Sequence, residues 1–319
     1  MAIVVAELCQ NHRGDQHLLQ EMIRSAAEAG ADYAKIQTIH AEDLTFRERF
    51  EEGIVENGAV KAIKRPYRPE YDRLKNLEVP LDDYGWFIEE CAKAKIQPLT
   101  TVFSRVRVAA VVGFKWDAVK VASYDCASYP LLQALKPHFR HLFISTGATY
   151  DAEIELAARV LDGSSFTFLH CVTIYPTPLE ELHLARMEFL RQFTPSVGFS
   201  DHTSASRDGI KAAAVALHLG ADVVERHFTI LAADQTKDGP ISIHPKQLET
   251  LCSLAHGTVE QRAAYVADEV GDYAQMIGQA KRQLTHAELL NRDYYRGRFA
   301  THRADGSIVY NWDDFPPEG

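Results

Sequence analysis

The sequence predicts a closed (β/α)8 barrel, the TIM barrel, followed by a C-terminal helix and a short tail. The 319 residues suffice for one large core, and 46% hydrophobic with 24% charged residues is an ordinary globular composition. Short β-branched apolar runs alternate with helical stretches, which predicts βαβ units and a parallel sheet. Eight such runs end by residue 228, which favours a closed barrel over an open sheet. We expect the catalytic barrel over residues 1–257 and a helix with a remnant tail over 258–319.

The elements follow one another at regular spacing. The predicted strands are 3–9, 32–37, 97–103, 118–122, 141–145, 166–171, 196–200 and 222–228. Amphipathic or alanine-rich stretches at 18–29, 84–95, 152–161 and 207–219 predict helices between them, and Asp15 is placed to cap the first.

Two segments fall outside this plan. Residues 39–81 form a charged, tyrosine-containing connection, and a connection of that length is typical of a functional lid or of small elements of its own. Beyond the barrel, the sequence predicts one long helix over 259–281 and a strand-like stretch over 307–312, with Pro316-Pro317 near the end.

Composition excludes several classes of partner. A formal net charge of −10 argues against a nucleic-acid binder, although a local positive cleft remains compatible with a small anionic substrate. No apolar run approaches the roughly 20 residues that a membrane span needs. The N-terminus lacks the basic start of a signal peptide, and the five cysteines are scattered. We therefore expect a cytoplasmic protein with no nucleic-acid or membrane partner.

Almost every predicted strand ends in polar residues, where barrel enzymes place their chemistry. Lys35 and Lys120 each lie between apolar neighbours, and an unpaired buried ammonium is very costly. One interpretation is structural pairing with Glu7 or Glu225. The other is a site for a small, highly charged anion such as a phosphate ester. Short donors at the same strand ends favour this second interpretation: Thr101, Ser123, Ser145 and Ser200.

Two histidines lie at the ends of the seventh and eighth strands. His202 follows Ser200-Asp201, and His227 follows Glu225-Arg226. Adjacent strand ends bring both imidazoles within reach of one divalent ion, and a site with few protein ligands leaves positions open for substrate. Glu225 is placed to orient a ligand or to act as a general base.

Six ordered blocks across residues 3–300 resemble the sialic acid synthase family, which condenses phosphoenolpyruvate with an aldose to give a 3-deoxy-2-keto sugar acid. The blocks are AELCQNHRG (6–14), AGADYAKIQT (29–38), ISTG (144–147), LHCVTIYPTP (169–178), GFSDHT (198–203) and VERHFT (224–229).

The resemblance implies a role for each matching residue. It implies His202 and His227 as ligands of a divalent ion, Mn²⁺ in this family, with Mg²⁺ or Co²⁺ as alternatives. It implies a phosphoenolpyruvate site made by Lys35, Thr101, Lys120, Ser123, Ser145 and Ser200. It further implies Gln37 and Tyr175 as sugar contacts, Glu7 and Glu225 as acid–base groups, and a homodimer.

The chain departs from the family pattern mainly in its sugar half. Thr173, predicted to bind substrate, stands where relatives have Asn, and Asp125, predicted to be catalytic, stands where they have Glu. The family's Gly-Pro-Asp turn is Gly239-Pro240-Ile241 here, with Asp238 displaced to its other side.

Of the family's antifreeze-like domain, the resemblance leaves only residues 292–315. We expect the aromatic and basic cluster within them to lie on the surface or in an oligomer contact; it comprises Tyr294, Tyr295, Arg296 and Arg298.

These departures keep two alternative functions open. One is a different metal-dependent barrel enzyme, an aldolase or sugar isomerase, which would have no need of both Lys35 and Lys120. The other is a catalytically degenerate barrel that binds a sugar.

Overall fold

Eight parallel strands close into a barrel in the computed structural model, which describes residues 1–314. The strands are β1 (Ile3–Glu7), β2 (Tyr33–Thr38), β5 (Gln97–Val102), β6 (Ala118–Val121), β7 (His141–Ser145), β8 (Phe166–Cys171), β9 (Val197–Asp201) and β10 (Val223–His227). Their order around the barrel is β1-β10-β9-β8-β7-β6-β5-β2. The predicted fold class is confirmed, and every predicted strand lies within two residues of an observed one. Pro316-Pro317 lie outside the described residues.

Helices pack around the strands because each presents one apolar face to them. In α1, Leu19, Met22, Ile23 and Ala26 recur at helical spacing and are buried. The Asp15 carboxylate caps this helix by accepting from the backbone N–H groups of the first turn, as predicted. The helices of the ring are α1 (Gln16–Glu28), α3 (Tyr84–Ala94), α4 (Val108–Val112), α5 (Tyr129–Leu135), α6 (Asp151–Val160), α7 (Arg186–Leu190), α8 (Lys211–His218) and α9 (Pro245–His256).

The barrel interior is built in two layers. Since alternate strand residues face opposite sides of a sheet, residues two apart on one strand point into the barrel together. The lower layer is a separate apolar cluster of Val5, Leu99, Ala118, Phe143, Leu169 and Val223. Two residues further along the same strands stand Glu7, Thr101, Lys120, Ser145, Cys171 and Glu225. The upper layer is therefore polar, and it lies at the carboxyl end of the barrel.

The long connection after β2 carries small elements of its own. They are the hairpin of β3 (Ile54–Glu56) with β4 (Ala59–Ala62), and helix α2 (Tyr67–Lys75). This outcome agrees with the expectation from its length.

The long helix predicted over 259–281 is wrong. The segment breaks into α10 (Val259–Tyr265), a π-helical turn (Val266–Val270) and α11 (Ala274–Ile277). Gly271 and Gly278 end these pieces with φ of 71° and 53°, a left-handed backbone that interrupts a helix.

The chain ends in a helix and a hairpin. After α12 (His286–Tyr295), β11 (Ala300–His302) pairs antiparallel with β12 (Ile308–Tyr310), which confirms the strand-like stretch near the end. Over residues 1–314, no helix is both long enough and apolar enough to cross a membrane.

Candidate active site

A cavity of about 370 Å³ opens above the polar layer, at the carboxyl end of the barrel. Its wall includes strand ends, the loop after β10, the connection after β2, and the tail. Twelve of the fourteen predicted site residues line it: Glu7, Lys35, Gln37, Thr101, Lys120, Ser123, Ser145, Tyr175, Ser200, His202, Glu225 and His227.

Two buried lysines and two buried carboxylates form the floor of this cavity. The Lys35 ammonium pairs with the Glu7 carboxylate, donates to Thr101 Oγ1 at 3.0 Å and lies 3.5 Å from Glu225 Oε1. Lys120 Nζ donates to Ser145 Oγ at 2.6 Å and lies 4.0 Å from Glu225 Oε2. The structural pairing is therefore confirmed. The anion site stays a prediction, and the same ammonium groups face the cavity beside hydroxyls.

The charged groups on the cavity floor shift one another's pKa values. Burial lowers the pKa of Lys35 to about 8, opposed by the charge of Glu225 and aided by that of Lys120. Burial alone raises the pKa of Glu225, but the two lysine charges outweigh it and hold that pKa below its usual value. Glu225 is therefore the counter-ion shared by both lysines.

The two histidines face each other across the cavity. Their ring centroids are 5.3 Å apart, and the Tyr175 ring lies 4.6 Å from that of His202. His202 Nδ1 faces the Val172 carbonyl at 3.2 Å, whereas the buried Nδ1 of His227 has no hydrogen-bond partner within residues 1–314. Burial lowers the pKa of His202 to about 4 and that of His227 to about 3. Both rings are thus neutral at pH 7, the form that ligates metals.

Cys9 and Asp238 also reach the cavity, and neither was predicted to belong to the site. Cys9 Sγ donates to Asp238 Oδ2 at 2.9 Å. One ligand atom each from Cys9, Asp238 and His227 lie within 4.8 Å of one another. The loop after β10 folds tightly and returns Asp238 to the barrel. Its tightness shows at Gly239, where a Cβ would have no room beside the Ala233 carbonyl.

The rim of the cavity carries a surplus of cations. Arg65, Arg73, Lys237 and Arg298 line it. Glu70 binds Arg73 through two hydrogen bonds of 2.9 Å and also pairs with Arg298. In the described part of the chain, neither Arg65 nor Lys237 has a carboxylate within ion-pair distance. The rim thus supplies more positive than negative charge.

One of the two positions predicted for the aromatic and basic cluster of the tail, the protein surface, is wrong for Tyr294 and Arg298, and the oligomer contact stays a prediction. Tyr294 and Arg298 are buried, and Tyr295 lines the cavity. The tail folds back over the barrel mouth, where Glu70 compensates the charge of Arg298. The run Tyr294-Tyr295-Arg296-Gly297-Arg298 was the available signal, since tyrosine and arginine side chains pack through their apolar parts while their polar ends form pairs.

Asp125 and Thr173 are the two predicted site residues outside the cavity lining. Asp125 Oδ1 accepts hydrogen bonds of 2.9 Å from both Ser128 Oγ and Asn311 Nδ2, and burial raises its pKa to about 6. Its carboxylate therefore ties the tail to the barrel, which corrects the expected place of this residue in the catalytic cavity. Thr173 is fully buried, and its carbonyl accepts from Asn291, a cavity-lining residue of α12.

Comparisons with known proteins place the chain among sugar-acid synthases. The model of the NeuB family matches residues 22–264. The N,N'-diacetyllegionaminic acid synthase of Campylobacter jejuni is 31% identical over 79% of this chain and 74% of its own length. A pseudaminic acid synthase of the same species is 24% identical over 93% of this chain and 81% of its own.

A solved structure supports the same assignment. The N-acetylneuraminic acid synthetase of Leptospira borgpetersenii, crystallised with citrate, matches with a TM-score of 0.69 and 26% identity, covering 92% of this chain and 90% of that one. The residues matched by the family model include seven of the eight barrel strands, β2 to β10. This chain belongs to the NeuB family.

Proposed function

We propose that this chain condenses phosphoenolpyruvate with an aldose to a 3-deoxy-2-keto sugar acid and releases phosphate. The observation that carries the proposal is the polar upper layer of the barrel, where two buried lysines and several hydroxyls lie under a pair of neutral imidazoles in one cavity. An aldolase or isomerase acting on a sugar alone would not need two cations on the cavity floor.

The floor suits a small anion with phosphate and carboxylate groups. Lys120 and Ser145 already lie in hydrogen-bond contact, as do Lys35 and Thr101, so each cation is paired with a hydroxyl. Hydrogen bonds that involve ionised groups are about twice as strong as neutral ones. We assign phosphoenolpyruvate to this floor, with Ser123 and Ser200 completing it.

The reaction then requires two proton movements near the carboxylates. Carbon C3 of phosphoenolpyruvate bonds to the aldehyde carbon, whose oxygen takes up a proton. Water adds at C2 and loses one proton. The C2–O bond to phosphate then breaks as the proton of the new C2 hydroxyl passes to the leaving phosphate, and a keto group forms. Glu7 faces the cavity beside Lys35, and Glu225 faces it beside both lysines; they are the acid–base groups of this proposal.

The side chains above the floor fit a divalent ion. His202 and His227 are neutral, and a buried His227 nitrogen lacks a hydrogen-bond partner within the described chain. Mn²⁺, or alternatively Mg²⁺ or Co²⁺, supplies Lewis-acid polarisation of the aldehyde oxygen when bound there. Gln37 and Tyr175 line the same cavity and are assigned to the sugar.

The test is phosphate release from phosphoenolpyruvate with Mn²⁺ and a panel of aldoses. We expect release with at least one aldose, and a Lys120→Met variant with a raised KM for phosphoenolpyruvate. Loss of a hydrogen bond to a charged group costs about 1.5–3 kcal/mol, which corresponds to roughly a 10- to 150-fold change. Lys93→Met is the matched control, since that lysine is exposed, pairs with Glu90 and is absent from the cavity lining.

Two outcomes would favour the alternatives. Turnover of a sugar without phosphoenolpyruvate would indicate an aldolase or isomerase. Tight sugar binding with no turnover would indicate a degenerate barrel that binds its ligand without reacting.

A further inference from the structure

We propose that Cys9, Asp238 and His227 together form a divalent-metal site in which a cysteine thiolate is a direct ligand. The inference rests on the proposed function for what the ion does, but not for which side chains hold it. It extends the two-histidine site expected from the sequence to a mixed sulfur, oxygen and nitrogen donor set.

The barrel topology brings the three side chains together. β1 and β10 are neighbours, with Glu7 opposite His227 in their register. Cys9 lies two residues beyond Glu7, and Asp238 lies in the loop that follows β10. Their ligand atoms lie within 4.8 Å of one another, and all three residues line the same cavity. This spacing allows one ion to contact all three after small side-chain movements.

Hydrogen bonds within the described chain do not satisfy every polar atom of these three side chains. The Cys9 thiol donates to Asp238, but His227 Nδ1 is buried and has no partner within residues 1–314. The His227 side chain is more than nine-tenths buried. A buried polar atom without a partner costs free energy, so an unpaired nitrogen on the imidazole ring that groups with this thiol and carboxylate indicates a missing ligand.

The donor set determines which ions it suits. Thiolate and imidazole favour Zn²⁺ and Co²⁺, whereas Mg²⁺ takes oxygen ligands almost exclusively. When the sulfur–metal bond forms, the thiol proton leaves to solvent and Asp238 exchanges its hydrogen bond from Cys9 for the ion. His202 faces the same space, with its ring centroid 5.3 Å from that of His227, and is available as a fourth ligand.

The test is a titration of Co²⁺ into the full chain after chelator treatment, without oxygen and without substrates. We expect a near-ultraviolet thiolate-to-cobalt charge-transfer band in the wild type. Cys9→Ser should lose this band, and Asp238→Asn should retain it. Because losing even an outer-shell partner typically costs about 10- to 100-fold in metal affinity, we expect both variants to bind Co²⁺ at least about tenfold more weakly.

Two other cysteines provide the controls. Cys252→Ala, in the buried face of α9, should retain both the band and the affinity. Cys171 also lines the cavity and lies 3.6 Å from His202 Nδ1, so Cys171→Ala tests whether a different thiol is the ligand. Thermal unfolding of each apo-variant verifies that it folds, so that a lost band reports on ligation.

Three results would overturn the inference: wild type that binds no Co²⁺, wild type that binds Co²⁺ without the band, or a band that survives Cys9→Ser and disappears in Cys171→Ala. The outcome is separable from the proposed function. A band in a wild type that releases no phosphate with any aldose would retain the metal site and refute the synthase. Turnover with Mn²⁺ but no thiolate-to-cobalt band would support the synthase and refute the thiolate ligand.

Discussion

The carboxylate of Glu70 connects the tail to the rim of the cavity, and its removal is the change that we expect to reveal this connection most clearly. Glu70 lies in α2, accepts two hydrogen bonds from Arg73 and pairs with Arg298, which lies 228 residues further along the chain. Glu70→Gln keeps the shape of the side chain and removes its charge. Both arginines then lose their counter-ion in a partly desolvated place.

The size of the effect follows from the pKa of Glu70. Burial raises this pKa, but the hydrogen bonds from Arg73 and the charge of Arg298 outweigh burial and lower it from 4.5 to about 2. One pKa unit corresponds to about 1.36 kcal/mol, so the ionised carboxylate contributes about 3 kcal/mol to the free energy of unfolding at neutral pH. The group's folded pKa is depressed, so this contribution is complete above about pH 4.5 and is lost as the pH falls towards about 2.

Urea unfolding of wild type and Glu70→Gln measures this contribution. We expect a loss of about 3 kcal/mol at pH 7 and a smaller loss near pH 3.5. Glu52→Gln is the control, because its pair with Lys64 is exposed and such pairs contribute about 0–1 kcal/mol. Equal unfolding midpoints for wild type and Glu70→Gln at pH 7, or a loss that does not shrink on acidification, would refute the reasoning.

Two further predictions concern the barrel and its contact with the tail. Gly147→Ala should destabilise the protein by roughly 1–3 kcal/mol in urea unfolding, because a Cβ there would lie 2.6 Å from Thr173 Cγ2 and 2.9 Å from Ser123 Oγ; Gly85→Ala, with 3.8 Å to its nearest neighbour, should stabilise by up to about 1 kcal/mol. The pKa of Asp125 is raised from 3.8 to about 6 in the folded protein, so its protonated form stabilises the fold. As the pH rises from 3.8 to 6, the wild type should therefore lose up to about 3 kcal/mol of unfolding free energy relative to Asp125→Asn. Unfolding free energies of the two proteins that change in parallel with pH would contradict this prediction.

The barrel was predictable because its rules are local. Period-two alternation and the spacing of apolar runs mark each strand, and the carboxyl ends of parallel strands must share one end of the barrel. Residues on or directly after a strand, such as Lys35, Lys120 and Glu225, therefore reach the cavity as expected. Asp125 shows where the rule ends: a 3-10 turn over Ser123–Asp125 follows β6, and alternation no longer determines where a side chain points.

The residues that sequence reasoning missed are placed by contacts between distant segments. Asp238 reaches the cavity through a tightly folded loop, and Arg298 reaches it through Glu70. Neither contact has a periodic signature in the sequence. The broken helix after α9 is different, since Gly271 and Gly278 were visible and each is a sufficient reason to end a helix.

The charge balance of the site explains why its floor resembles a structural ion-pair cluster. Lys35 and Lys120 are offset by Glu7 and Glu225, so the buried floor carries no net charge although every member is ionisable. A buried cluster with two free ammonium groups would cost several kcal/mol per charge. Pairing with the carboxylates therefore allows the two lysines to remain charged and buried in the barrel before an anionic substrate binds. The pairs do not argue against binding of that substrate. The surplus charge lies instead at the rim, on Arg65 and Lys237, where solvent reduces its cost and the field still attracts anions.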